Sequence, residues 1–412
     1  MTRARYRGAR PGRWPAGSRG RAAGHRHAAL TARPDASAHP RRPTRKLDIV
    51  AVQDKDFPWQ PGTATGIGSL PGADPMEAAR TVIEELPDFP HLAELPARGP
   101  GADMIGRTAA LLVDMPIDTT PRGWRLSPER PGKDLRRARS MLSSDLDAME
   151  EALGGYQGLL KVQLAGPWTL AATLEQPHSL NPALRDPGAV ADLAASLAEG
   201  AAAHVAEVAK RVPGATIVVQ LDEPALPAVV EGSVPTPSGL SNVRAVEEEV
   251  LRERLRTVLT AAPAYAVVHC CRDAVPFATI AGSGANGVSF DLSLLKRGDW
   301  DLLAEVAEAS LGLLVGATPA LDPLQRSSAS RLSRPPRAAE SAESAGSAPE
   351  QVARFVADAW RRMGLPPATC VPQVVITPAC GLAGASPAGA RAVLKRVREA
   401  ARILPELMEE RS

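Results

Sequence analysis

The sequence predicts an α/β protein built as a (β/α)8 TIM-type barrel, and three observations carry that expectation. Seven apolar runs of strand length, rich in Val, Ile and Leu, are separated by long amphipathic helical patterns. Their hydrophobicity is continuous rather than alternating, which marks strands covered on both faces, as in a parallel sheet whose crossovers are helices. No G-x-G-x-x-G opens any strand-to-helix turn, and this favours a closed barrel over an open dinucleotide-binding sheet.

Taken in order, residues 1–46 have no apolar periodicity and carry twelve Arg and one Lys against the single acid Asp35. That is a net +12, which leaves −10 on the remainder of a chain whose formal total is +2. No core can form from such a segment, and without an apolar stretch of roughly 7–15 residues it is not a secretory signal. A nucleic-acid-binding arm and an unstructured extension both fit, and the extension is the preferred reading. An Arg-rich tail is therefore expected over 1–60 and the barrel domain over 61–412. The first strand is expected at 64–70 (ATGIGSL), and one without a clear pattern between 88 and 120. Further strands follow at 159–166, 215–224, 265–271, 286–293, 311–319 and 373–381, with helices at 189–211, 244–261 and 387–409. A Ser-, Ala- and Pro-rich stretch at 326–350 reads as a low-complexity loop between ordered elements.

Composition narrows the function classes. Hydrophobic residues make up 44% and charged ones 23% of 412 residues, and no run reaches the ~18 apolar residues of a membrane-spanning helix, so no membrane partner is expected. Aromatics at 3% leave little stacking surface for single-stranded nucleic acid, so no nucleic-acid partner is expected either. The four cysteines, Cys270, Cys271, Cys370 and Cys380, all lie in the last third of the chain. So few, so clustered, they fit thiols kept reduced in a cytoplasmic setting and used for metal or catalysis, or else small buried hydrophobes.

The polar residues fall at the carboxyl ends of the runs: Ser69, Asp222 and Glu223, His269 and Cys271, Asp291, Cys380. In a parallel barrel those ends open on one face, where active sites sit. His269 and Cys271 are two apart and point to one side of a strand, with Cys270 on the other. Together with Cys380 and Asp291 they make an N/S/S/O set suited to zinc. Singly, each has a plainer reading: a core histidine, a packed thiol, a helix-capping aspartate. The glycine-rich GIGSLPG lacks the Lys-Ser/Thr ending of a phosphate loop, and Glu223, on the opposite side of its strand from Asp222, reads as structural.

The fragments IGSLP (67–71), GPWTL (166–170), QLDEPAL (220–226), His269-Cys270-Cys271 and TPACGLA (377–383) occur in an order that resembles the carboxyl-terminal catalytic domain of cobalamin-independent methionine synthase, over about 62–409. The chain is similar to the short, single-domain members of that family. The resemblance implies a barrel fold, a zinc held by His269, Cys271, Asp291 and Cys380, and methyl transfer to a thiol such as homocysteine. It also implies that Asp222 pairs with the substrate amino group and that Gly68 and Ser69 receive its carboxylate. The implied methyl donor is methyltetrahydrofolate or a methylated corrinoid protein; Ala317 stands where the family carries a proton-donating histidine, which favours the corrinoid. Two alternatives stay open: a catalytically degenerate zinc- or thiol-binding barrel, and a metal-free barrel of the uroporphyrinogen decarboxylase type.

Overall fold

The computed structural model describes residues 57–127, 132–262, 264–320 and 348–409. Residues 1–56 of the expected tail, and most of the low-complexity stretch 326–350, lie outside the described residues. Eight strands are present among them. β1 (Ile117–Thr120) and β2 (Gly123–Leu126) form a separate antiparallel hairpin. The other six, β3 (Gly158–Ala165), β4 (Ala215–Asp222), β5 (Tyr265–Cys270), β6 (Gly287–Asp291), β7 (Gly312–Thr318) and β8 (Val374–Pro378), make one curled parallel sheet in sequence order.

This corrects the expectation of eight regular barrel strands. The segment 64–70 and the strand expected between 88 and 120 are present as extended segments held by single parallel bridges: Ala64 to Ile376 of β8, Ser69 to Glu94, and His91 to Lys161 of β3. Their backbone bonds cross the gap between the sheet edges, with Thr65 N donating to Ile376 O (3.2 Å), Leu70 N to Glu94 O (2.8 Å) and Leu92 N to Lys161 O (2.8 Å). Regular pairing fails for local reasons. Pro90 has no N–H to give, and Gly66 must be bare because a Cβ there would collide with the His91 ring.

The long helices follow the amphipathic patterns. Pro187–Arg211 starts on the Asp186 side chain, which accepts from Gly188 N and Ala189 N, with Pro187 at the first helical position. Glu248–Leu259 begins four residues later than its apolar pattern suggests, and Pro387–Glu409 runs as expected. A long apolar cluster fills the space between sheet and helices. A second, inside the sheet's curl, joins Trp59, Phe89, Leu159, Val218, Val267, Leu314 and Val375. Trp59 is only 3% exposed and donates from Nε1 to Pro372 O at 3.0 Å, so the expected tail ends before it rather than at residue 60. Gly312 makes room, since a Cβ there would meet the indole. The sequence hides this because Trp59 stands alone between Pro58 and Gln60, outside any apolar period. No helix among the described residues is long and apolar enough to cross a membrane.

Candidate metal and substrate site

β5 presents His269 to the interior and Cys270 to the surrounding helices, and Cys271, the first residue past the strand, turns inward again. Cys270 packs in the apolar core, where burial pushes its thiol pKa up and leaves it inert. Cys380 follows β8 by two residues, in a turn tied at both ends: Ala379 N donates to Thr318 O (2.8 Å) and Leu382 N to Ser69 O (2.8 Å). Gly381 allows the second tie, because a Cβ there would run into Ser69 Oγ. Ser69 is thereby placed beside the Cys380 turn.

The ligand atoms of His269, Cys271 and Cys380 lie within 4.8 Å of one another, and the two sulfurs are 2.7 Å apart. The two thiols are in contact and either sulfur can donate to the other; their interaction holds the Cys380 pKa down while Cys271 is pushed up. His269 Nδ1 is 2.8 Å from Ser289 Oγ, the residue opposite it on β6, and its Nε2 is buried without a partner. A ring with one nitrogen oriented and the other buried and bare beside two thiols fits a borderline-soft divalent ion such as zinc. Asp291, the fourth ligand expected from sequence, is not brought into this group. Its Oδ1 accepts from Ser293 N (2.9 Å) and Ser293 Oγ (2.6 Å), capping the short turn Leu292–Leu294. The helix-cap reading is the one observed, because the chain leaves the sheet at this residue and its carboxylate meets the turn's N–H first.

Next to the His/Cys group lies a buried polar layer. Asp222 ends β4 level with His269, and Gln220 Nε2 donates to its Oδ1 at 2.7 Å. Burial raises the Asp222 pKa, while His269 and Lys161 pull it down. Glu94, which sequence reasoning passed over, stands on the bridged segment beside Gly68: a Cβ on Gly68 would come within 3.3 Å of the Glu94 carboxyl carbon. Burial lifts Glu94 to about 7, opposed by Arg107 and Lys161 and reinforced by Asp222. Arg107 Nε lies 3.6 Å from Glu94 Oε1, and its guanidinium also pairs with buried Asp145. The available signal was an acid inside PHLAELP, an apolar run of strand length bounded by prolines. Two buried carboxylates in this layer can hold an ammonium group.

Glu223 faces the other way. Its carboxylate accepts from Trp168 N (2.9 Å), Thr169 N (2.7 Å) and Thr169 Oγ1 (2.7 Å), and so holds the start of the helix Pro167–Thr173. Ala317 is buried on β7 and offers no proton.

No protein-family model matches the chain, and no curated protein does. Among solved structures, a B12-independent methionine synthase from Shewanella sp. W3-18-1, in complex with selenomethionine, is similar at 13% identity with a TM-score of 0.49, over 85% of this chain and 99% of that one.

Proposed function

We propose that this protein is a zinc-dependent methyltransferase that moves a methyl group to the thiol of homocysteine or a close analogue. The observation that carries the reading is the convergence of His269, Cys271 and Cys380 beside the buried carboxylates Asp222 and Glu94. The ordered fragments that resemble the methionine synthase catalytic domain support it.

In this reading His269 Nε2 and the sulfurs of Cys271 and Cys380 hold the metal, and the Ser289 hydroxyl sets the imidazole's orientation. Zinc bound there supplies the charge that ionises a substrate thiol near neutral pH, and two sulfur ligands keep its Lewis acidity low enough to leave that sulfur nucleophilic. Asp222 and Glu94 receive the substrate's α-ammonium group. The backbone at Gly68 and the Ser69 hydroxyl, beside the Cys380 turn, receive its carboxylate. With both ends of the amino acid held, the thiol is aimed at the His/Cys group, and orientation of this kind lowers the entropic part of the barrier. The thiol gives its proton to solvent water, its sulfur forms a bond to the methyl carbon, and the donor departs with the electron pair of its bond to the methyl group.

Ala317 bears on the donor. A methyl group leaving a tetrahydrofolate nitrogen needs a proton delivered to that nitrogen, help worth about a hundred- to ten-thousand-fold. A methylated corrinoid needs none, so a corrinoid protein is the favoured donor.

Zinc-edge absorption of the purified protein with and without homocysteine tests the reading. Zinc with added sulfur in its shell, together with methionine formation, is the expected result. Zinc without methionine formation from either donor would favour a degenerate binding barrel, and a protein that takes up no zinc and forms no methionine would favour the decarboxylase-type barrel.

A further inference from the structure

Lys161 is fully buried, on β3, in the part of the molecule where the ladder gives way to single bridges. Its Nζ donates to Ile67 O (2.8 Å) and Gln220 Oε1 (2.6 Å). With the Gln163 amide turned so that both of its ends are satisfied, Nζ also reaches the Gln163 oxygen (3.2 Å), and the Gln163 nitrogen donates to Leu92 O (3.0 Å). Gln220 completes the set from its other end, donating from Nε2 to Ile67 O (3.0 Å) and Asp222 Oδ1 (2.7 Å).

Three donors on the ammonium thus meet three acceptors, which leaves it no free hydrogen to offer a substrate. The bonds link Ile67, the residue before Gly68 and Ser69, to Leu92, two residues before Glu94, and to Asp222 itself. Those are the three sources of the candidate amino-acid contacts, and they lie on segments that share few backbone bonds. Taking a lysine out of water costs several kcal/mol unless it is paired, whereas an apolar side chain of similar length would fill the space at less cost. Support of the core alone gives no reason for a buried amine here. Registering the three substrate-binding segments does, because directional hydrogen bonds fix polar groups on separate segments relative to one another, which non-directional apolar contact does less well.

Resting on the thiol-methyltransferase reading of the site, we propose that Lys161, acting through Gln220, is a positioning residue. It sets the placement of Asp222, Glu94 and the Gly68–Ser69 segment relative to one another, and thereby confers selectivity for thiols that carry an α-amino group.

The test compares L-homocysteine with 4-mercaptobutyrate, which differs only in lacking the amino group, by calorimetric titration of the zinc-loaded full chain. In Lys161→Met the preference for homocysteine should fall by about tenfold or more, the extent expected when a positioned polar contact is lost. Binding of 4-mercaptobutyrate should stay within about twofold, and zinc content should not change. Gln220→Met keeps the lysine and its bond to Ile67 O but removes the link to Asp222, along with the Gln220 bonds to Lys161 Nζ and Ile67 O; it should show the same selective loss, and it decides the matter if Lys161→Met does not fold. Equal weakening of both thiols, or an unchanged preference in either folded variant, overturns the proposal. A wild-type protein that binds neither thiol, or binds both alike, overturns the reading of the site and this inference with it.

Discussion

Ser289→Ala offers the sharpest test of the metal site, because it touches none of the candidate ligand atoms. The Ser289 hydroxyl lies 2.8 Å from His269 Nδ1, and both side chains are buried. Removing it leaves Nδ1 without a partner and frees the ring to turn, so Nε2 no longer points reliably at the two sulfurs. Loss of such an outer contact typically costs about 10- to 100-fold in metal affinity, or roughly 1.4–2.8 kcal/mol at about 1.4 kcal/mol per tenfold. The assay is zinc competition against a chromophoric chelator near neutral pH. Two variants bracket the result. Cys380→Ser should remove most of the zinc, while Cys270→Ser, whose side chain faces the apolar core, should keep all of it. Unchanged affinity in Ser289→Ala would mean that His269 does not bind through Nε2. Full zinc occupancy in the Cys271→Ser, Cys380→Ser double variant would remove the site altogether.

Glu223→Ala orphans the backbone N–H groups of Trp168 and Thr169, at about 1–3 kcal/mol each, and should destabilise the protein by about 2–6 kcal/mol in urea melts while zinc stays bound. Stability should also depend on pH through the buried carboxyls. Burial lifts both Glu94 and Glu223 from 4.5 to about 7, so between those values the unfolded chain has released protons that the native one still holds, and raising the pH across that window weakens the fold. Glu223→Gln should flatten that slope, and a slope identical to wild type would contradict the assignment. Deleting residues 1–46 should leave the melting temperature and zinc content unchanged, whereas Trp59→Ala should cost roughly 3–5 kcal/mol, since it empties the middle of the inner apolar cluster. In a side-by-side assay with homocysteine, a methylated corrinoid should outperform methyltetrahydrofolate; brisk turnover with the folate, lost in Asp222→Ala, would show that another acid stands in for the side chain missing at Ala317.

Much of the architecture was legible because it depends on each residue's near neighbours. Continuous Val/Ile/Leu runs announce strands covered on both faces, and β3 to β8 appear within a few residues of those runs. The spacing of two between His269 and Cys271, with Cys270 between them, settles which side chains share a side of β5 whatever the rest of the chain does. Glu223 was readable as a structural group by the same alternation. Other features depend on what lies across the molecule. Segments 64–70 and 90–94 carry Gly66, Gly68 and Pro90, and whether they pair as regular strands is decided by the His91 ring against Gly66 and by the missing proline N–H. Glu94 acquires meaning only when its segment is laid beside Gly68, within reach of the Asp222 charge, and Lys161 and Gln220 look like ordinary interruptions of an apolar run until Ile67 O is brought between them. Asp291 has the right type and the right strand, yet its carboxylate bonds to Ser293. Local periodicity sets which way a side chain leaves its own strand, whereas contacts between segments some hundred residues apart depend on register and curl, which arise only when the sheet closes on its core.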